Sequence, residues 1–147
     1  MIITKDIQIG DWLYFAEREK KHLFEVTNVD SKGLLGGYLL CDNSRKKINN
    51  VSEINFEPIF LTGEILKKNN FTFAKNTGAY VGFFLCSQYN GFIEVSLFHV
   101  GSEYNNNQLH ISDTNDTTTF IHLMECKYVH QLQHALRICQ ISTEINL

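Results

Sequence analysis

Side chains that could bind a metal recur at every fourth position late in the sequence, in the series His122, Cys126, His130 and His134. On one continuous helix such a series would form a slowly rotating stripe, and histidines four residues apart can share a zinc ion. Residues 118–123, however, are mostly β-branched and aromatic, which predicts a strand, so only His130 and His134 keep helical register. Gln131 stands where the zinc-protease motif requires glutamate. We therefore predict two histidines on a solvated helix face and no metal or cofactor. A zinc enzyme that uses His130 and His134 is the alternative.

Motifs for other chemistries are missing from the sequence. It contains no G-x-S-x-G nucleophile elbow, no G-x-G-x-x-G loop and no Walker sequence. Lys and Arg number 13, Asp and Glu number 16, the net charge is −3, and 44% of the residues are hydrophobic. These values are typical of a globular chain of 147 residues with a sizeable core. We predict a non-enzymatic protein without catalytic residues.

The cysteines and the apolar runs indicate the compartment. The four cysteines form no C-x-x-C pair and each lies in an apolar stretch, which predicts reduced thiols in the core: Cys41, Cys86, Cys126 and Cys139. No signal peptide is recognisable at the first residues. The longest apolar runs, Leu34–Cys41 and Ala79–Cys86, are far shorter than the roughly 20 residues that span a bilayer. We expect a soluble, cytoplasmic protein that makes no membrane contact.

The elements of the first 61 residues predict a small barrel. Short apolar bursts separated by turn residues predict five strands, at Trp12–Phe15, Leu23–Val29, Leu34–Cys41, from Lys46 to Ile48, and Phe56–Leu61. Gly10-Asp11 and the Asp30-Ser31-Lys32-Gly33 cluster predict tight turns, the latter with Gly33 at positive φ. Gly36-Gly37 predicts a bulge within the third strand. Five short, bent strands in this length favour an SH3-like β-barrel over residues 1–61.

Residues 62–147 predict a second subdomain of the α+β class, which could also form one compact unit with the first. Thr62 is a predicted helix N-cap, and the short helix ends at Asn69-Asn70. Antiparallel strands follow, with a hairpin turn at Asn90-Gly91 and another at residues 113–116. The apolar residues of Lys127–Ile141 fall on one stripe of a helix that we expect to lie across the open face of this sheet.

Two basic clusters support a nucleic-acid-binding alternative. The predicted turns between the first two strands and between the third and fourth strands carry the residues Arg18, Lys20, Lys21, Arg45, Lys46 and Lys47. Alternate turns of a meander emerge at the same end, so the two clusters should lie together, near exposed aromatic residues such as Tyr14 or Tyr38. Glu17, Glu19 and Asp42 dilute the positive charge. The competing interpretation is charged, solvated hairpin tips that discourage edge pairing.

Three segments of the chain carry a resemblance over nearly its full length. They are Ile9-Gly10-Asp11-Trp12 with Phe24-Glu25-Val26-Thr27, the segment Glu57–Leu66, and Lys127–Leu136, which contains YVHQLQ. In these segments the chain resembles a group of small proteins from gut anaerobes and from their phages or mobile elements. The group has no assigned activity, so the resemblance implies no site residue. It implies a phage or mobile-element setting, and a capping role for Tyr128–Gln133.

Together these observations predict a non-enzymatic binding or adaptor protein that acts on another protein. The alternative is the nucleic-acid-binding module described above. The sheet edges and the aromatic surface could equally serve a homodimer contact.

Overall fold

The computed structural model describes the chain except residues 1–5, 42–43, 70, 74–79, 87–92, 101–106, 114–115 and 140–143, and it describes the strands between 72 and 124 by their backbone. The described residues form two five-stranded antiparallel sheets and two α-helices, an α+β fold. The chain divides into two compact units, Met1–Ile59 and Phe60–Leu147. No helix within the described ranges is long and apolar enough to cross a membrane.

The first unit is an antiparallel meander whose last strand returns to its first. Its strands are β1 (Trp12–Glu17), β2 (Lys20–Val29), β3 (Leu35–Cys41), β4 (Ser44–Val51) and β5 (Phe56–Pro58), and a 3₁₀ turn at Glu53–Asn55 precedes β5. The order across the sheet is β4-β3-β2-β1-β5. In the part of the chain described, β4 and β5 are the two edges and the sheet is not closed. The α+β class is confirmed, and the closure of this sheet into a barrel is not confirmed.

Local turn chemistry explains where the chain reverses between β2 and β3. The Oδ1 atom of Asp30 accepts hydrogen bonds from the backbone N–H groups of Lys32, at 2.8 Å, and Leu34, at 2.9 Å. Gly33 has φ 77°, a conformation that costs glycine little because it has no Cβ. The predicted turn at these residues is therefore confirmed.

The core of the first unit lies on one face of the sheet. It consists of Ile7, which precedes β1, and of buried strand residues that alternate with outward ones, namely Leu13, Phe24, Val26, Leu35, Leu39 and Phe56. Phe24 packs against Phe56 with ring centroids 4.7 Å apart. The alternation has one exception. A register shift between Val26 and Asn28 places Val29 against the core, where strict alternation from Val26 would direct it outward.

The second unit contains the other sheet and both helices. Its elements are α1 (Gly63–Lys68), β6 (Thr72–Phe73), β7 (Tyr80–Cys86), β8 (Ile93–Val100), β9 (Asn107–Asp113), β10 (Asp116–Glu125) and α2 (Val129–Ile138). The sheet order is β10-β9-β8-β7-β6, all antiparallel. The predicted hairpin at 113–116 is confirmed by the pairing of Asp113 with Asp116. The predicted Asn90-Gly91 turn lies outside the described residues. The packing of α2 across the sheet remains a prediction.

Helix α1 begins as its sequence predicts. Thr62 is the N-cap, and its hydroxyl accepts a hydrogen bond from the N–H of Ile65 at 3.3 Å. Glu64 lies in the first turn and Lys67 and Lys68 in the last, so both ends complement the helix dipole. A helix of six residues depends on such contacts because it cannot form alone in water.

Substitution of the N-cap provides the first testable prediction. We expect Thr62→Ala to lower the free energy of unfolding by about 1 kcal/mol, because one N–H of the first turn loses its acceptor. Thr62→Ser is the matched control, since it keeps the hydroxyl, and should stay within about 0.5 kcal/mol of the parent. Urea unfolding followed by circular dichroism measures both variants. Equal losses in the two variants would refute a capping role.

Helix α2 buries more of its surface than the apolar stripe predicts. Val129, Leu132, Ala135 and Leu136 are buried as expected. His130 and Gln133 are buried as well, 4% and 1% exposed, so the prediction of a solvated face at His130 is wrong. At the N-terminal end, Gln131 Oε1 accepts from the N–H groups of Lys127, at 2.8 Å, and Tyr128, at 3.1 Å. Gln131 therefore caps the N-terminal end of the helix.

Candidate functional site

The outward face of the first sheet gathers aromatic and aliphatic side chains that are distant in sequence. Residues directly opposite each other in an antiparallel pair project to the same face. The register places Tyr14 opposite Leu23, and Leu23 opposite Leu40. In the next row, Trp12 is opposite Glu25, and Glu25 is opposite Tyr38. Leu13, Phe24 and Leu39 lie between these two rows and point into the core. The residues of both rows therefore face away from the core. We call this set the outward face: Trp12, Tyr14, Leu23, Glu25, Tyr38, Leu40, Arg45 and Lys47.

The apolar members of the outward face are half-buried. Trp12, Tyr14, Leu23, Tyr38 and Leu40 all fall between buried and exposed. They shield one another as cross-strand neighbours and still present part of their surface. Contiguous aromatic and aliphatic surface of this kind marks interaction sites when charged residues surround it.

Two ion pairs border this apolar surface. Arg45 on β4 forms a salt bridge with Glu25 on β2, reaching past β3. The Arg45 guanidinium also lies over the ring of Tyr38, 4.6 Å from its centroid. On the other side, Lys21 on β2 pairs with Glu57 on β5, past β1. Both pairs are partly exposed, so they orient the side chains more than they stabilise the fold.

Most of the basic residues that were predicted to lie in turns belong to strands. Only Arg18 lies in the turn between β1 and β2, whereas Lys20 and Lys21 belong to β2 itself. Likewise, Arg45, Lys46 and Lys47 are part of strand β4. Because neighbouring strand residues alternate in direction, Lys46 is opposite the core residue Leu39 while Lys47 is opposite Tyr38. The three residues therefore do not form one continuous basic tip.

The hairpin end between β1 and β2 carries both signs of charge. A surface depression there is lined, among the described residues, by Glu17, Arg18, Glu19, Lys20 and His22. The carboxylates alternate with the cations along this tip, so the local field is weak. Arg18 also takes a left-handed conformation, φ 57°, which turns the chain in place of the usual glycine or asparagine.

The two histidines of α2 lie close together. Their ring centroids are 5.8 Å apart in an edge-on arrangement, and the His130 ring stacks on Tyr128 at 5.6 Å. Within the described residues, no group of three or more His, Cys, Asp and Glu side chains could hold a metal ion. His122 belongs to strand β10, as predicted, and so is not part of this helix. The pair is part of an aromatic stack in the second unit.

That stack continues to an exposed phenylalanine. Phe60 forms an isolated antiparallel bridge with Tyr128, and their rings meet edge to face at 5.2 Å. The Lys127 ammonium lies 5.6 Å from the Phe60 centroid and 5.7 Å from that of Tyr128. Phe60 is 53% exposed, so much of its ring faces solvent. A single exposed ring with one cation above it is a smaller and less defined surface than the outward face.

The described thiols have structural rather than nucleophilic surroundings. Cys126 is fully buried, and desolvation raises its pKa from 9.0 to about 12. Burial also raises the pKa of Cys139. A nucleophilic cysteine requires the opposite shift, because the thiolate is the reactive form. Both residues match the predicted core thiols, and Cys41 packs partly buried against the core of the first unit.

Sequence reasoning identified only part of the outward face. Tyr14, Tyr38, Arg45 and Lys47 were candidates, but the grouping depended on one basic tip, whereas the described strand β4 directs Lys46 and Lys47 to opposite faces. The residues it missed are Trp12, Leu23, Glu25 and Leu40. The available signal was the strand alternation, since each of these residues is two positions from another member of the set.

Comparison with known proteins adds no further assignment: no family model, no curated protein and no solved structure matches the chain.

Proposed function

We propose that this chain is a non-enzymatic protein-binding module and that the outward face of its first sheet contacts the partner. The observation that carries the proposal is the register that brings Trp12, Tyr14 and Tyr38 onto one face, with Arg45 over Tyr38. Tryptophan, tyrosine and arginine are the residues most enriched at the energetic centres of protein interfaces. At such interfaces a ring of less critical residues surrounds the energetic centre and excludes water from it. The ion-paired residues beside the aromatic side chains could form that ring.

The charges favour a protein over a nucleic acid as the partner. The two cations beside the aromatic residues, Arg45 and Lys21, already have carboxylate partners. Glu25 lies between Trp12 and Tyr38, where a phosphate would meet repulsion. Nucleic-acid binders instead need a continuous basic surface that releases counterions. The nucleic-acid alternative therefore has less support than it had from the basic clusters alone.

The same charges define the chemistry of the partner segment. Lys47 is exposed, lies opposite Tyr38 and forms no ion pair among the described residues. A partner that places an aliphatic or aromatic side chain over Tyr14 and Tyr38 could pair a carboxylate with Lys47. We therefore propose a peptide segment or protein surface with an apolar anchor beside an Asp or Glu.

The proposal extends to the fold of the first unit and to its setting. We infer an SH3-like small barrel, supported by the strand order β4-β3-β2-β1-β5, in which the last strand returns to the first. Small β-folds of this kind commonly bind ligands on an exposed sheet face or on its loops. A phage or mobile-element setting is proposed from the sequence resemblance alone.

Peptide selection tests the proposed function. The immobilised full-length chain is used to select from a library of random 12-residue peptides, and synthetic copies are measured by fluorescence polarisation. We expect enriched peptides with an apolar anchor next to an acidic residue. Tyr38→Ala should weaken their binding about tenfold or more, because it removes an aromatic contact at the centre of the face.

Neighbouring lysines on β4 provide the matched control. Lys47→Ala should weaken binding several-fold, whereas Lys46→Ala, one residue away on the other face, should leave it unchanged. If the peptides bind Lys47→Ala and Tyr38→Ala as tightly as they bind the parent chain, the outward face is refuted as the binding site. Binding of a fluorescent oligothymidine that falls steeply with salt and is lost on changing Arg45, Lys46 and Lys47 to Ala would favour the nucleic-acid alternative.

A further inference from the structure

The side chain of Asn69 pairs with the backbone of Asn146 in the second unit. Asn69 Nδ2 donates to the carbonyl oxygen of Asn146 at 2.9 Å, and Asn69 Oδ1 accepts from the N–H of Asn146 at 2.8 Å. These two reciprocal bonds reproduce the pairing of one residue with another across an antiparallel ladder. The carboxamide of Asn69 therefore pairs with the main chain of Asn146 as one residue at a strand edge would.

Asn69 is held in this orientation by the end of helix α1. Its Nδ2 also donates to the carbonyl oxygen of Ile65 at 2.7 Å, and its backbone N–H caps the carbonyl groups of Ile65 and Leu66. Both hydrogens of the amide group are thereby used. Rotating the amide by 180° would place its oxygen against two carbonyl oxygens, so only one orientation is compatible with these neighbours.

The residues on either side of Asn146 add one apolar and one polar contact. Ile145 is 8% exposed, whereas Glu144 and Asn146 are exposed. Lys68 Nζ donates to the carbonyl oxygen of Leu147 at 3.0 Å. The segment 144–147 is thus held by one buried aliphatic side chain and by its main chain, with no described contact from the side chain of Asn146.

We propose that this end of α1 is a docking site for a short extended peptide and that residues 144–147 occupy it as an internal ligand. The site selects an aliphatic residue at the position of Ile145 and accepts many residues at that of Asn146, because it reads the latter through its backbone. The same segment of a second copy of the chain can enter the site when the internal one is released. This proposal is independent of the outward face.

The test supplies the segment in trans to a full-length variant. Ile145→Asp disfavours burial of the internal segment because it places a carboxylate where the aliphatic side chain lies. A fluorescein-labelled peptide Glu-Ile-Asn-Leu is titrated into this variant and followed by polarisation. We expect saturable binding that is at least tenfold weaker to unaltered protein, where the internal segment competes. Adding Asn69→Asp to the variant should abolish the signal, because a carboxylate would face two carbonyl oxygens.

Peptide variants separate backbone recognition from side-chain recognition. A peptide with alanine at the position of Asn146 should bind within about twofold, since it keeps the N–H. A peptide with proline there should lose binding at least tenfold, since it cannot donate to Asn69 Oδ1. Equal affinity of the alanine and proline peptides would overturn the proposal, as would the absence of saturable binding to a folded Ile145→Asp variant.

Hydrogen exchange in the unaltered protein gives a result even if Ile145→Asp does not fold. The Asn146 amide, which donates to Asn69 Oδ1, should exchange slowly. Millimolar Glu-Ile-Asn-Leu peptide should accelerate this exchange by displacing the internal segment, and the proline peptide should not. An Asn146 exchange rate that the first peptide leaves unchanged would overturn the proposal.

Discussion

Cys126 is expected to react with iodoacetamide at pH 8 about a thousand times more slowly than an exposed thiol. Its pKa is raised from 9.0 to about 12 because burial leaves the thiolate without solvation. Three pH units correspond to a thousandfold lower thiolate fraction, and the thiolate is the species that is alkylated. Timed alkylation followed by peptide mass spectrometry measures each site. Cys41, which is partly exposed, is the internal reference. Alkylation of both cysteines at similar rates in folded protein would contradict the prediction.

The same shift predicts a loss of stability in alkali. A thiol whose pKa is higher in the folded than in the unfolded state contributes its full stabilisation below the unfolded value of 9.0. As the pH rises from 9 towards 12, the unfolded chain releases the proton first, so unfolding becomes easier. The expected loss is about 1.4 kcal/mol for each pH unit in this window.

Comparison with a cysteine variant isolates this contribution from other groups that titrate in alkali. Urea unfolding is measured at pH 8, 9, 10 and 11 for the parent chain and for Cys126→Ala. The free energy of unfolding should fall more steeply in the parent than in the variant above pH 9. Parallel pH profiles would show that Cys126 does not carry the effect.

Gly37→Ala is expected to lower the free energy of unfolding by about 3 kcal/mol or more. A Cβ at this position would overlap the carbonyl oxygen of Glu25 and lie 2.7 Å from Cζ of the core residue Phe24. Neither neighbour can yield easily, because Glu25 belongs to the paired backbone of β2 and Phe24 is fully buried. Overpacking a close-packed interior forces backbone shifts with costs of this size. Urea unfolding followed by tryptophan fluorescence reports on the sheet through Trp12.

The preceding glycine offers a control of identical chemistry. At Gly36 the nearest atom to a new Cβ is the side-chain Oδ1 of Asn49 at 3.2 Å, which can move. Gly36→Ala should therefore change the free energy of unfolding by less than about 1 kcal/mol, with a gain in unfolded-state entropy opposing any crowding. If both variants lose a similar amount of unfolding free energy, the overlap of the new Cβ with β2 is not the cause of the loss in Gly37→Ala.

Local signals in the sequence predicted most elements because their causes are local. Thr62 caps α1 through an N–H three residues away, and Asp30 closes its turn through two neighbouring N–H groups. The apolar stripe of Lys127–Ile141 likewise predicted α2. Such contacts join residues within a few positions, so their residue types alone favour one conformation.

Predictions that depended on register were less accurate. The bulge after Val26 moved Val29 to the core, since one extra residue in a strand reverses which face each later side chain occupies. Arg45, Lys46 and Lys47 looked like one basic tip, but strand β4 directs Lys46 and Lys47 to opposite faces. His130 looked solvated beside an apolar stripe, yet its surroundings bury it.

The amino-acid sequence by itself determined the α+β class, the N-cap of α1 and the turn at residues 30–33, because these depend on short-range sterics and hydrogen bonds. Only the tertiary structure decided which side chains meet. Trp12, Tyr14 and Tyr38 share a face through the pairing of β1, β2 and β3, and Asn69 reaches Asn146 across 77 positions of the chain. Such contacts depend on strand register and on the path of the whole chain, which no short segment encodes.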